Sequence, residues 1–82
     1  MEQLVYSPKS LGQAMKRQRK AKKLSQSTAG SSFSMEQSTI SSIENGTPGT
    51  RIETIFRLLA ALDLEMVIRS KKVNMVKTKE NW

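Results

Sequence analysis

The sequence has no cysteine and no histidine, and these two gaps remove whole classes of chemistry. Disulfides, thiol nucleophiles, imidazole acid/base catalysis and the common zinc ligand sets are all excluded. A reducing compartment is the natural setting for such a chain, and a cytoplasmic location is expected. Long apolar runs are missing too. Nothing approaches the roughly 20 residues a membrane span needs, and the first 15 residues lack the apolar core of a signal peptide, so no membrane partner is expected. Acids are scarce as well, with seven Asp and Glu in 82 residues. No acid/base or nucleophile pair is visible, so neither an enzyme nor a cofactor or metal site is expected.

What the chain does have is positive charge, a net +7 gathered in two places. Seven cations lie between Lys9 and Lys23 (Lys9, Lys16, Arg17, Arg19, Lys20, Lys22, Lys23), and no acid interrupts the sequence between Glu2 and Glu36. A second basic stretch follows Arg69, with Lys71, Lys72, Lys77 and Lys79 opposed by Glu80. Such clustering fits a polyanionic partner, although basicity alone also fits a solvated helix face and a soluble tail.

The length suits one compact domain with a modest core, which dimerisation would help to complete. Ser7-Pro8 pairs an N-cap residue with the proline favoured at the first helical position, predicting a helix from about Pro8 to Lys22. From Leu24 to Ser42, ten of nineteen residues are Ser or Thr, as in a polar linker. Yet Ala29/Phe33 and Ile40/Ile43 keep helical spacing. Two short helices are expected, about Gln26 to Ser32 and Glu36 to Glu44, with Ser25 and Ser34 as N-caps and Asn45-Gly46 as a stop. Thr50-Arg51-Ile52-Glu53 matches a capping box, opening a core helix that carries Ile52, Ile55, Phe56, Leu58, Leu59 and Leu62. Leu64, Met66 and Ile68 then alternate with Glu65, Val67 and Arg69, predicting a strand. Its partner is either residues 2–6 or the same strand of a second subunit.

A basic helix, two short helices joined by a tight turn, a stop and an apolar helix make up the helix-turn-helix order. In that arrangement the second short helix enters the major groove of double-stranded DNA. Helical spacing sends Ile40, Ile43 and Met35 inward and leaves Glu36, Gln37, Ser38, Ser41 and Ser42 outward as candidate base readers. Gln can pair bidentately with adenine, Ser can donate or accept, and Glu can accept from cytosine N4.

Leu24-Ser25-Gln26, Gln37-Ser38-Thr39-Ile40-Ser41 and Ile43-Glu44-Asn45-Gly46 resemble the phage-repressor and Cro-like helix-turn-helix family in order and spacing. The resemblance implies phosphate contacts from Gln26 and Asn45, joined by Ser27 and Lys16, and a structural ion pair between Arg19 and Glu44. At both ends the chain is similar to HipB-type antitoxins: Val5-Tyr6-Ser7-Pro8, Thr54-Ile55-Phe56-Arg57-Leu58-Leu59, Leu64-Glu65-Met66-Val67-Ile68 and the terminal Trp82. That likeness implies a homodimer whose strands (Leu64, Met66, Ile68) pair across the two-fold. It also implies a palindromic operator and a HipA-type serine/threonine kinase toxin as partners. A stand-alone phage-like or controller-type repressor is the alternative. Trp82 is then either an anchor in a pocket of the toxin or a loosely packed chain end.

The expected architecture is therefore mainly all-α, with four to five helices and a short C-terminal strand pairing across a dimer. Residues 1–70 form the DNA-binding and dimerisation domain, and residues 71–82 a flexible basic tail. The chain departs from the family pattern at Ala29 and Gly30, where Leu and Ala are usual, and at Ser34, where the turn usually has Gly. Gly inside a helix costs about 1 kcal/mol relative to Ala. The second helix is accordingly expected to be short and the least stable.

Overall fold

A computed structural model describes residues 2–71; the expectations for Lys72, Lys77, Lys79 and Trp82 fall outside them. The first helix, α1, runs Pro8–Ala21. Ser7 and Ser10 cap it reciprocally: Ser7 Oγ accepts from the Ser10 amide at 3.0 Å, and Ser10 Oγ accepts from the Ser7 amide at 3.1 Å. Arg19 and Lys20 in its last turn complement the negative end of the helix dipole. Helix α2 spans Gln26–Phe33, with Ser25 Oγ accepting from the Thr28 amide as expected. Helices α3 (Gln37–Glu44) and α4 (Ile52–Ala61) follow.

Met15, Ala29, Met35, Ile40, Ile43, Leu58, Leu59 and Leu62 form one buried core, with one or more residues from every helix. Leu11, Leu24, Phe33, Ile55 and Leu64 close its edges. Met35, Ile40 and Ile43 thus point inward, as helical spacing requires. Ile52 and Phe56 do not; they stand about half exposed on the flank of α4 away from the core.

Two expected caps are absent. Ser34 does not open α3; it ends α2 in the left-handed conformation, φ 55°. That geometry reverses the chain within three residues and buries Met35, whose amide bonds to the Gly30 carbonyl at 2.9 Å. Glu36 becomes the N-cap of α3 without a side-chain cap bond. Likewise, Thr50 caps nothing in α4, because the helix begins one residue later with Arg51 at its N-cap. Glu53 then sits one position short of the capping-box register, although its charge still complements the positive end of the helix.

Gly30 proves to be a requirement of the turn, since a Cβ there would lie 2.7 Å from the Met35 carbonyl oxygen. Gly12 plays the same part between helices: a Cβ would lie 2.5 Å from the Glu44 carbonyl oxygen and closer still to that of Ile43. α1 therefore rests directly on the last turn of α3. Among the described residues no strand forms. Residues 64–68 do not pair with residues 2–6, and a lone strand has no other ladder partner in a single chain. Leu64 packs on the core, while Met66, Val67 and Ile68 are exposed.

Candidate nucleic-acid interface

α3 is held from behind by Ile40 and Ile43, and its last residue is held by charge. The Glu44 carboxylate accepts from Arg19 Nε at 2.6 Å and Nη2 at 3.1 Å, a bidentate pair that is almost fully buried. Arg19 Nη1 also donates to the Leu24 carbonyl at 2.6 Å. Gln26 Nε2 donates to Glu44 Oε1 at 3.0 Å. Burial by itself raises the Glu44 pKa. The hydrogen bonds from Arg19 and Gln26 and the positive charges of Arg19 and Lys16 outweigh it and hold the carboxyl below its ordinary value. One cluster therefore fixes the end of α1, the start of α2 and the end of α3 relative to one another. Such a pair sets orientation more than it adds net stability.

The opposite face of α3 is free of apolar side chains. Glu36, Gln37 and Ser38 are exposed, and Ser41 and Ser42 are half-buried. Gln37 and Ser41, four apart, share one edge of the helix, and Ser38 and Ser42 the other. Asn45 Nδ2 reaches Ser41 Oγ at 3.5 Å. Serine's small size leaves the α3 backbone close to any surface laid against this face.

The remaining site candidates are spread around it. Ser27 is exposed in the first turn of α2, and Lys16 is exposed on α1, near enough to Glu44 for its charge to be felt. Gln26 is turned inward onto Glu44, so its amide is already committed to positioning α2. Arg19 belongs to the buried cluster, apart from any surface.

A second wall, which the sequence did not announce, stands beside α3. Ser38, Thr39 and Ser42 of α3 face Thr47, Thr50, Arg51 and Thr54 across a shallow groove of about 350 Å³. No acid lines it, and Arg51 is its only cation. In the sequence Thr50 and Arg51 stand out only as part of a capping box. The signal available was a basic residue set among hydroxyls soon after α3. Among the described residues no group of acids could hold a metal ion, and no helix is long and apolar enough to cross a membrane.

Residues 15–68 match the family model described as helix-turn-helix. The antitoxin HipB of Escherichia coli (strain K12) is 36% identical over 70 residues, which is 85% of this chain and 80% of that protein. Among solved structures, a HipB variant in complex with an O2 20mer superposes with a TM-score of 0.79 at 33% identity, covering 88% of this chain and all of that one. HipB in a HipA-HipB-O2-O3 complex gives 0.77 at 35% identity, covering 87% and 100%. The restriction-modification controller protein C.AhdI from Aeromonas hydrophila gives 0.62 at 31%, covering 71% and 88%.

Proposed function

Because this chain belongs to the helix-turn-helix family and, within it, to the HipB antitoxins, we propose that it is a transcriptional repressor that binds operator DNA as a homodimer. We further infer that it is the antitoxin of a type II toxin-antitoxin module and neutralises a HipA-type serine/threonine kinase toxin. The observation that carries the DNA half is the α3 face: polar, small and unobstructed, on a helix whose other side is locked by Ile40, Ile43 and the Arg19–Glu44 pair. Gln37 and Ser38, at the start of α3, take the base edges, with Ser41 and Ser42 following along the groove. Arg51 with Thr47, Thr50 and Thr54 holds the sugar-phosphate backbone on one side, and Lys16, Ser27 and Asn45 hold it on the other. Glu36 carries a charge that phosphates repel, so it acts on specificity, by accepting from a cytosine amino group, and adds nothing to general affinity.

The controller-type reading rests on the similarity to C.AhdI, which covers less of this chain than the HipB structures do. The extra coverage favours the antitoxin. The relative captured together with HipA and DNA supports a single assembly in which repression and neutralisation are linked. Purification from the native host tests both halves: a kinase and a defined duplex are expected to accompany the chain. Recovery of the duplex without a kinase supports the stand-alone repressor. Binding is also expected to be steeply salt-dependent. With on the order of 6 to 10 phosphate contacts per dimer, affinity falls about 10³- to 10⁵-fold between roughly 50 and 200 mM salt.

A further inference from the structure

We propose that Arg57 is a positioning residue for operator reading: from α4 its guanidinium donates to the Ser34 carbonyl and so fixes the angle at which α3 leaves the turn. The inference rests on α3 being the base reader. Arg57 Nη2 lies 3.2 Å from Ser34 O, across 23 residues of chain. Among the described residues it is the one side-chain hydrogen bond joining α4 to the α2–α3 unit.

Its acceptor is the most consequential carbonyl in the turn. Only Ser34, Met35 and Glu36 separate α2 from α3. The amides of Ser34 and Met35 are tied back to the Ser31 and Gly30 carbonyls of α2, so they anchor the turn to the helix behind it. The Ser34 carbonyl shares its rigid peptide plane with the Met35 amide, so Arg57 holds from α4 the opposite edge of the unit that Gly30 holds from α2, and rotating that plane swings Met35, Glu36 and everything after them. Glu36 offers no side-chain cap to stiffen the start of α3. Ser34 also holds a left-handed conformation that L-residues adopt at a cost, so an outside donor to its carbonyl steadies a strained link. Arg57 stands one turn beyond Thr54, which lines the groove against α3, and so lies on the flank of α4 that faces the recognition helix. A planar guanidinium suits this role, because a forked donor restrains direction better than a point charge does.

The test compares binding of the full chain to two duplexes over a range of salt, one selected by the wild type from a randomised pool and one of scrambled sequence. All readings are taken below the onset of melting. Arg57→Met is expected to weaken binding to the selected duplex about 3- to 10-fold, as for one hydrogen bond. Binding to the scrambled duplex should stay within about twofold and the salt slope should be unchanged. Arg57→Lys, which keeps a donor and the charge but not the fixed fork, should recover only part of the loss. Equal losses on both duplexes with a salt slope reduced by about one would make Arg57 a phosphate contact and overturn the proposal. An unchanged ratio between the two duplexes overturns it as well. A wild type that selects no sequence from the pool removes the base-reading role of α3, and the proposal falls with it.

Discussion

Ser34 occupies a left-handed position where a side chain is unfavourable. Replacing it with glycine removes the clash between Cβ and the backbone, at the expense of more freedom in the unfolded chain. Ser34→Gly is expected to stabilise the fold by about 0.5 to 1 kcal/mol, read as a higher urea midpoint with an unchanged slope. Glu44 offers a test of opposite sign. Its folded pKa lies below the unfolded value, so the carboxylate contributes stability that is complete above the unfolded pKa and is lost as pH falls through the folded one. Unfolding should become easier with acid over that window. Glu44→Gln should flatten this dependence while destabilising the chain by about 3 to 5 kcal/mol at neutral pH, because the buried Arg19 loses its counter-charge. A thermal-melt series against pH for both proteins checks the two effects together.

For α3 as an element, backing and reading face are separable. Gln37→Ala leaves Ile40, Ile43 and Glu44 untouched, so the helix should stay in place. The expected result is a loss of about 1 to 3 kcal/mol on the preferred operator, with relaxed preference at one base position and nearly unchanged nonspecific binding. Competition against single-base variants of the operator measures it. The polar outer face of α3 was legible in the sequence because it follows from helical period alone, and so was the Ser25 cap. The Ser34 and Thr50 caps were misassigned because a cap depends on which residue first turns helical, and here tertiary packing shifts that point. Burial of Met35 moved one start and the 47–50 loop the other. Gly30 was misjudged for a related reason. Propensity weighs a glycine against its own helix, whereas its value lies in the approach of Met35 from outside that helix.

At the scale of the whole molecule, the described chain leaves Ile52, Phe56, Met66, Val67 and Ile68 exposed beside a compact core. Pairing of residues 64–68 across a two-fold would draw in part of this surface. A chain cut after Asp63 is accordingly expected to sediment as a monomer at concentrations where the full chain is a dimer; full dimerisation of the truncated chain would place the interface elsewhere. Alternation over residues 64–68 predicts a strand that the described chain does not form, because a strand exists only with a ladder partner and residues 2–6 do not supply one. One contact, finally, has a practical reach beyond recognition. α1 touches α3 through backbone at Gly12, with Ile43 and Glu44 beneath, so the seat of α3 does not depend on the side chains of its exposed face. On the proposed operator reading, the exposed positions 37 and 38 can therefore be randomised together as a library while this seat stays constant, making the domain a host for reprogrammed operators.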